Sequence, residues 1–599
     1  MEATVAKEDP ALTHDQSLNP LPRSVVRPNG HVLLDGEWRF ALDLEDQGLR
    51  ANWQDGHEYP QTTHLPGLLE QHLEATQGSV PSLDSVVAWY EREFEVPASW
   101  ADAPGRIVQL TFGACGYETR VWLNGQPLST VDNEEVHTGE YLAFSYELPP
   151  EHLQPVNRLT VRIADSHDAE IPRGKQESTV HKRGGIWYQT ITGAVRSIWI
   201  EPVERNRLRA RLAVHATIED NLVEFTLTTR VQDAGAYMLQ LAVTPKDGKE
   251  PVVTADYPLP LEAGEERQRV TLEVPDAKLW SGAAPNLYRL TAQLRAPDGG
   301  VSKIETHFGL RKIEARGRSI FLNNEPVYLD GVLYQPGIST YEQMQAHMHA
   351  MQQLGCNLVR IHIAGVDPRI YDLADEMGML LWVEVPSPHA STERSRANHH
   401  VELLRMLTTI LSHPSVVIWS MYNEDWGVQD IELSETTRAY IASVYRHMRL
   451  NYPQVLVVDN DGWRHVSTEG RLESDLLTVH MYTPDLDRWR SVLDSLVAGD
   501  LENRPGNPLV VGDPYYYRGQ SPLVLSEWGG FGWSGYKGPQ DDAAKAELIR
   551  EMKRELRTRA IAGDVYTQAT SIDEEVNGLL DAETGELQVP RGILGPPGD

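Results

Sequence analysis

The sequence has 599 residues, 41% of them hydrophobic, so it is long enough to form several domains with separate cores. Its 54 basic and 86 acidic residues leave a formal net charge of −32. Because this charge repels phosphate groups, we expect neither nucleic acid nor an acidic membrane surface as a partner.

The beginning of the chain carries no sign of secretion. Residues 1–20 are polar and are predicted to be a flexible tail, without the basic and apolar segments of a signal peptide. No run approaches the roughly 18 apolar residues of a membrane span. Cys115 and Cys356 are isolated thiols that make neither a disulfide framework nor a metal cluster. We therefore expect a cytoplasmic protein, with a homo-oligomer left open.

Two β-sandwich domains are predicted before residue 312. Residues 21–205 contain short alternating apolar segments, and Thr119–Leu123 is followed by Asn124-Gly125, a strong hairpin signal. Residues 206–311 repeat this alternation in about 100 residues, the size of an immunoglobulin-like sandwich. The second domain has no Cys-Trp-Cys pattern, so its sandwich would lack the antibody disulfide.

Residues 312–599 change to alternating strands and helices, which predicts a (β/α)8 barrel, with an open doubly wound sheet as the alternative. Eight strands are predicted: Val327–Leu329, Leu358–His362, Leu380–Val385, Val416–Ser420, Val455–Asp459, Leu476–His480, Leu523–Ser526 and Asp564–Thr567. Four helices between them are predicted: Tyr341–Leu354, His400–Leu411, Glu435–Leu450 and Asp542–Thr558. A Gly/Pro-rich tail follows the last strand, so the closing helix is expected to be short or missing.

Polar side chains collect where these strands end, and in a barrel those ends surround one pocket. The residues expected there are Arg360, His362, Glu384, Asn423, Glu424, Asp459, Asn460, Asp461, His480, Tyr482, Glu527, Trp528 and Gln568. Any single one of them could form a surface salt bridge, but seven consecutive strands share the pattern. The sequence therefore predicts one polar pocket at this end of the barrel.

Glu424 and Glu527 are the candidate catalytic pair. Retaining glycosidases need two carboxyl groups roughly 5 Å apart, one as nucleophile and one as acid/base, and strands on opposite sides of a barrel mouth can provide this. Asp425 competes with Glu424, although neighbours on a strand point in different directions. Asn423 could donate to a sugar 2-hydroxyl. Ring faces for a sugar are offered by Trp426, Trp463, Trp528 and Trp533.

Other patterns predict no cofactor and no metal. Gly530–Gly535 fits G-x-G-x-x-G, but no helix opens behind it and its bulky Trp and Phe would crowd a pyrophosphate. Asp459–Gly462 resembles part of a calcium loop and lacks the later ligands. None of His347, His349, His399 and His400 has a carboxylate at metal-ligand spacing, so a catalytic metal is not expected.

The chain resembles glycoside hydrolase family 2, the family of β-galactosidases, β-glucuronidases and β-mannosidases. The stretches that carry the resemblance are Leu34–Phe40, Trp89-Tyr90, Val121–Gly125, Gly184–Tyr188, Leu279-Trp280, Pro285–Tyr288, Phe308–Arg311, Tyr371–Gly378, Trp419–Glu424, Leu525–Gly529, Thr567-Gln568 and Glu575–Gly578. The resemblance implies a jelly-roll sugar-binding domain, an immunoglobulin-like sandwich and a catalytic TIM barrel. It implies that Glu424 is the acid/base and Glu527 the nucleophile of a retaining mechanism.

The resemblance also bears on the substrate. Arg360 matches the family's Arg-x-Ser-His run, in which His362 replaces Ser, and Tyr422 stands where Gly is usual. The Asn-x-Lys carboxylate clamp of the glucuronidases has no clear counterpart near the C-terminus, which favours a neutral sugar such as galactose. A β-glucuronidase, a β-mannosidase or a binding protein without turnover on this scaffold are the alternatives. Further substrate contacts are expected from Glu384, His480, Tyr482, Trp463 and Trp528.

Overall fold

A computed structural model describes residues 30–77, 85–101, 105–337, 339–503 and 508–596. Two β-sandwiches precede a parallel barrel, which confirms the predicted multidomain fold. The predicted tail, residues 1–20, lies outside the described residues. Within the described ranges, no helix is long and apolar enough to cross a membrane.

The first sandwich packs a seven-stranded and a four-stranded sheet face to face, with a core that includes Trp38, Tyr90, Leu110 and Ile200. The four-stranded sheet has the order Val32–Leu33, Ile198–Glu204, Arg106–Phe112 and Phe144–Leu148. The larger sheet has the order His137–Thr138, Glu118–Leu123, Asn157–Ser166, Ser85–Phe94, Gly36–Leu42 and Gln61–Leu65, with Gln126–Leu128 beside Glu118–Leu123. The remaining elements are the small sheet Gly67–Leu68, Gly193–Ala194 and Cys115–Gly116, the helices Leu69–Gln77 and Ala98–Ala101, and the 3-10 turns Trp53–Asp55 and Pro150–His152.

The second sandwich has seven antiparallel strands around Phe225, Leu241 and Leu290. One sheet contains Arg207–Thr217, Leu222–Val231 and Gly264–Glu273, and the other Val253–Leu261, Gly235–Pro245, Tyr288–Arg295 and Val301–Phe308. The two cysteines, Cys115 and Cys356, lie outside this domain as buried free thiols, so its sheets are held together by apolar packing. The last strand of the first sandwich, Ile198–Glu204, and the first strand of the second, Arg207–Thr217, lie on either side of residues 205 and 206.

The third domain is a barrel of eight parallel strands. They are β1 Leu329–Tyr334, β2 Leu358–Ile361, β3 Leu380–Glu384, β4 Val416–Asn423, β5 Leu456–Asp461, β6 Leu477–Met481, β7 Leu523–Gly529 and β8 Gly563–Thr567. The strand order is β5-β4-β3-β2-β1-β8-β7-β6, in which the last strand lies beside the first and the other ladders join strands that follow each other in sequence, as in a barrel and not in an open doubly wound sheet. In the described chain β5 and β6 share no ladder, and the Gly462 amide bridges them by donating to Thr478 Oγ1 at 2.9 Å.

Six helices surround the described barrel strands. They are α1 Tyr341–Gln353, α2 Arg369–Met377, α3 Glu393–Ile410, α4 Glu435–Asn451, α5 Leu486–Ala498 and α6 Asp542–Arg557. Thr340, Ser434, Asp485 and Asp541 cap four of these helices by accepting from backbone amides of the first turn. The small sheet His465–Thr468, Arg471–Leu472 and Val510–Gly512 lies between β5 and β7, and Ser534–Tyr536 forms a 3-10 turn after β7.

The predicted first barrel strand, Val327–Leu329, is wrong in its position. Val327 ends an antiparallel sheet, Ile313–Arg316, Ser319–Leu322 and Glu325–Val327, whose apolar residues pack against the inward-facing residues at the amino ends of the barrel strands. The true strand continues through Asp330, a charged residue that interrupts the apolar pattern. It is tolerated because Lys553 Nζ lies 2.8 Å from its Oδ1.

We expect Lys553→Met to destabilise the protein by about 3 kcal/mol or more, because Asp330 and Asp564 would stay buried without this cation. Denaturant unfolding measures the loss. Lys249→Met, which changes an exposed lysine, is the matched control and is expected to be neutral. Equal stability of the two variants would contradict this account of how β1 and β8 are held together.

Candidate active site

The carboxyl ends of the barrel strands bring most of the predicted residues into one connected polar cluster. Arg360, His362, Glu384, Asn423, Glu424, His480, Tyr482 and Glu527 each contact at least one other member of this set. Asp461, predicted only as a polar strand end, belongs to the same network. The polar side chains expected at the strand ends therefore do meet in one place, and their functional roles stay predictions.

Arg360 lies at the centre of the cluster and is fully buried. Its Nη2 lies 2.6 Å from Glu384 Oε1, 2.8 Å from Asp461 Oδ2 and 3.1 Å from Glu527 Oε1. It also donates to Asn423 Oδ1 at 2.9 Å. Burial by itself lowers the pKa of Arg360, but these carboxylates outweigh burial and raise it. Arg360 is thus a fixed cation that holds strands β2, β3, β4, β5 and β7 in register around the pocket.

His362 is a neutral side chain in this pocket. Burial lowers its pKa well below the ordinary value, and its Nδ1 lies 2.5 Å from Glu384 Oε2. Burial raises the pKa of Glu384 to about 7, against the opposing charge of Arg360. Glu384 therefore orients both His362 and Arg360.

Glu424 follows the last residue of β4 in a strained backbone conformation. Glu424 and Asp425 have φ of 49° and 63°, in the left-handed region that non-glycine residues rarely adopt. The Glu424 amide donates to Asp461 O at 3.1 Å and the Asp425 amide to Asn460 Oδ1 at 3.1 Å, which stabilises the turn. Asp425 Oδ1 accepts from Asn460 at 2.7 Å, and its other oxygen pairs with Arg464. Asp425 is therefore held away from the role that its neighbour can take.

His480 joins Glu424 to Asp461. Its Nδ1 lies 2.7 Å from Glu424 Oε1 and its Nε2 lies 2.6 Å from Asp461 Oδ2. Burial alone lowers the pKa of His480, but the charges of Glu527 and Asp461 outweigh burial and raise it to about 10. The imidazole therefore stays protonated beside Glu424 through the neutral pH range.

Glu527 faces Glu424 across the pocket. Carboxylate oxygens of the two residues, with a ring nitrogen of His480, lie within 4.8 Å of one another. The Tyr482 hydroxyl donates to Glu527 Oε2 at 2.5 Å. Nearby, Asn423 Nδ2 is buried with no hydrogen-bond partner in the described part of the chain. The pocket thus contains two close carboxyl groups and one amide donor that a ligand could satisfy.

The prediction that Trp528 binds substrate is wrong. Trp528 is fully buried, packs against Trp489 of α5 and Tyr566 of β8, and donates from Nε1 to Asp564 Oδ1 at 3.0 Å. Glu527 faces the pocket, so its neighbour is directed outwards into the layer between strands and helices. Trp463 is half-buried in the loop after β5, and its role stays a prediction.

Tyr422, which stands where the family usually has Gly, also points away from the pocket. Its ring stacks on His399 of α3 with centroids 4.2 Å apart, and it packs with the apolar layer outside the strands. Tyr422 therefore makes no contact that could select a sugar.

The sequence patterns missed a contribution from the first sandwich. Lys175 and Tyr188 reach the barrel mouth, where both contact Glu575 in the segment after β8. The Trp187 ring packs on Trp426 with centroids 4.9 Å apart. The stretch Gly184–Tyr188 was recognisable as family-like, but no periodicity shows that a loop of one domain crosses to another.

A group of side chains that could bind a metal ion lies between the second sandwich and the barrel, apart from the active-site cluster. Ligand atoms of His307, Asp372, Asp375 and His413 lie within 4.8 Å of one another. Asp375 Oδ2 lies 2.8 Å from His307 Nε2 and 2.6 Å from His413 Nδ1, and Oδ1 accepts from the Ser415 amide. These atoms already join the two domains by hydrogen bonds, and the absence of a catalytic metal stays a prediction.

Comparison with known proteins identifies the family of the chain. The family described as glycosyl hydrolases family 2 matches residues 194–311, and its TIM barrel domain matches residues 313–495. The chain belongs to glycosyl hydrolases family 2. The resemblance and the barrel fold expected from the sequence are therefore confirmed.

Relatives within family 2 carry more than one name. A beta-galactosidase of Bacteroides ovatus is 24% identical over 67% of this chain and 47% of its own length. A beta-glucuronidase of Canis lupus familiaris is 24% identical over 83% of this chain and 77% of its own. A solved beta-glucuronidase from Ruminococcus gnavus has a TM-score of 0.72 at 17% identity, covering 94% of this chain and 96% of that one. The chain spans between 41% and 68% of three curated relatives that it matches.

Because Trp528 is buried and Trp463 is half-buried in a loop, replacement of each by Phe should change stability by different amounts. Trp528→Phe is expected to cost about 1–3 kcal/mol of stability, because Asp564 loses a buried donor and the core loses volume. Trp463→Phe, at the rim, is expected to stay within about 0.5 kcal/mol of the parent. Calorimetric unfolding distinguishes them, and similar losses for both would contradict the outward placement of Trp528.

Proposed function

We propose that this protein is a retaining exo-β-glycosidase that removes a terminal neutral sugar, with β-galactosides the first substrates to test. The observation that supports this most is the close approach of Glu424 and Glu527, whose carboxylate oxygens lie within 4.8 Å. Retaining enzymes hold their two carboxyl groups about 5 Å apart, whereas inverting enzymes need about 6.5–9.5 Å to admit a water molecule.

In the first step, a Glu527 oxygen bonds to the anomeric carbon while the bond from this carbon to the leaving oxygen breaks. The proton held by His480 passes through Glu424 to that leaving oxygen, so the aglycone departs as a neutral alcohol. The product is a glycosyl ester of Glu527. In the second step, Glu424 takes a proton from water, whose oxygen replaces Glu527 and releases the sugar with its configuration retained.

The neighbouring side chains support these steps. Arg360 and Tyr482 both contact the Glu527 carboxylate, which orients it and stabilises it as a leaving group in the second step. The free amide donor of Asn423 suits a sugar 2-hydroxyl, a contact that strengthens in the transition state. Contacts of the first sandwich with the mouth, such as Trp187 on Trp426, favour a closed pocket that accepts a chain end.

The charge of the pocket supports a neutral sugar. Three cations, Arg360, Lys175 and His480, meet the carboxylates of Asp461, Glu424, Glu527 and Glu575. Glu384, whose pKa burial raises to about 7, adds a partial negative charge to this excess. A uronate would add a further negative charge to this excess and would be repelled. β-Glucuronidase and β-mannosidase activities of the same family are the alternatives, since relatives named beta-glucuronidase and beta-galactosidase both match.

A panel of 4-nitrophenyl β-glycosides, including galactoside, glucoside, mannoside and glucuronide, tests this function. We expect one neutral glycoside to be cleaved, and Glu527→Gln to reduce kcat by about 10⁴-fold or more because the covalent step is lost. Glu435→Gln, an exposed change on α4, is the matched control. Sugar binding without cleavage of any glycoside would favour the binding-protein alternative, and full activity of Glu527→Gln would remove Glu527 from its role.

Glu424→Ala tests the acid/base role separately. We expect cleavage of a methyl glycoside to be lost, while a dinitrophenyl glycoside, whose leaving group needs no proton, still forms the glycosyl ester. Added azide should then release the β-glycosyl azide, because no carboxylate repels the anion. Isolation of the α-azide by NMR would contradict a retaining mechanism.

The proton on His480 predicts the pH dependence. The pKa of His480 of about 10 implies that this proton stays beside Glu424 at neutral pH and is lost as the pH rises through that value. In His480→Gln the alkaline limb of kcat/KM on a methyl glycoside should move to lower pH, since a glutamic acid is a stronger acid than an imidazolium. The dinitrophenyl glycoside is the control substrate, and an unmoved limb on the methyl glycoside would contradict this role of His480.

A further inference from the structure

A segment of the first sandwich, Gly174–Thr190, reaches across to the carboxyl ends of the barrel strands. The Gly174 amide donates to Ser387 O at 3.1 Å, and Gly174 O lies 2.6 Å from His389 Nε2. Gly174 has φ of 63°, and a Cβ there would lie 2.3 Å from Ile363 O. Only glycine therefore allows this segment to approach the end of β2 so closely.

Lys175, the next residue, places an ammonium group at the barrel mouth. Its Nζ lies 3.3 Å from Glu575 Oε2 and 3.5 Å from the Tyr188 hydroxyl. Its side chain is 9% exposed, whereas that of Glu575 is completely buried. Tyr188 and Tyr536 also contact the Glu575 carboxylate. Glu575 is thus an anchored counter-ion, and Lys175 is the member of the pair that a ligand can reach.

The pair lies beside the reacting groups. The Tyr536 ring, whose hydroxyl lies 3.5 Å from Glu575 Oε1, stacks on Tyr482 with centroids 4.2 Å apart. Tyr482 in turn donates to the nucleophile Glu527. On the other side, burial lowers the pKa of His362 most, and the charge of Lys175 adds to that lowering. Lys175 is therefore connected to Glu527 through Glu575, Tyr536 and Tyr482.

We propose that Lys175 is a specificity-determining residue that donates a hydrogen bond to a glycone hydroxyl on the ring side away from the 2-hydroxyl. Glu575 is its positioning residue. The inference rests on the proposed glycosidase function and names a substrate contact for it. Asn423 on β4 suits the 2-hydroxyl, whereas Glu575 follows β8 and lies near Gln335 after β1, on the other side of the barrel axis.

A hydroxyl fits this position better than a carboxylate. Glu575 already balances the charge of Lys175, and Glu527 and Glu384 lie close by, so a uronate would meet an excess of negative charge. A hydroxyl can accept from the ammonium without adding charge. The two domains would then select the sugar jointly, with the first sandwich contributing the ammonium group.

The test uses full-length protein, the best neutral aryl glycoside from the panel, and its 3-, 4- and 6-deoxy forms. Wild type is expected to lose about 10- to 100-fold in kcat/KM on one deoxy form, the worth of a hydrogen bond to a charged group. Lys175→Met should lose a similar factor on the parent glycoside and nothing more on that deoxy form. A purely structural role would reduce activity on all four substrates equally.

Lys182→Met, an exposed lysine of the same segment, is the matched control and should behave as wild type. Glu575→Gln should raise KM more than it lowers kcat, with Glu583→Gln, an exposed change later in the same chain segment, as its control. Thermal unfolding of each variant checks that the fold is intact.

If folded Lys175→Met lost as much kcat/KM on that deoxy form as wild type does, the inference would be overturned and the glycosidase proposal would remain. Wild-type preference for a uronide that Lys175→Met abolishes would show that the residue binds a carboxylate, which also overturns the hydroxyl assignment. Wild type without activity on any neutral or acidic glycoside would contradict the proposed function itself.

Discussion

One buried guanidinium organises the site. Arg360 balances carboxylates from three other strands, Glu384, Asp461 and Glu527, and these could not be buried together without it. Because the cation is shared, the position of each carboxylate depends on the others. The strained backbone at Glu424 rests on the same arrangement, since its amide donates to the backbone of Asp461. Electrostatic pairing therefore maintains the geometry that the chemistry requires.

The protonation of His480 and the contact of the first sandwich with the barrel mouth both relate to this cluster. Asp461 pairs with Arg360 on one side and His480 on the other, so the charge that fixes the cluster also retains a proton beside Glu424. The first sandwich then completes the mouth with Lys175, whose approach depends on the glycine before it. Substrate choice would thus be divided between two domains, while the bond-breaking groups lie in the barrel alone.

Strands and helices with regular apolar patterns were predictable, and interrupted ones were not. Seven barrel strands were found within a few residues because their apolar runs are uniform, and β1 was misplaced because Asp330 interrupts its run. The helices Arg369–Met377 and Leu486–Ala498 were not predicted. In the site, the position of Glu527 at the end of β7 was predictable, but the side to which Trp528 turns depends on the local register of β7, which no pattern reveals.

The sequence by itself determined the family, the order of the domains and the polar residues at the strand ends, because these depend on local patterns of a few neighbouring residues. Only the tertiary structure decided that Glu424, rather than Asp425, faces Glu527, and that Lys175 of another domain pairs with Glu575 at the barrel mouth. These outcomes depend on backbone turns and on contacts between segments hundreds of residues apart. Such contacts are set by packing and charge balance in the folded chain, which no local pattern contains.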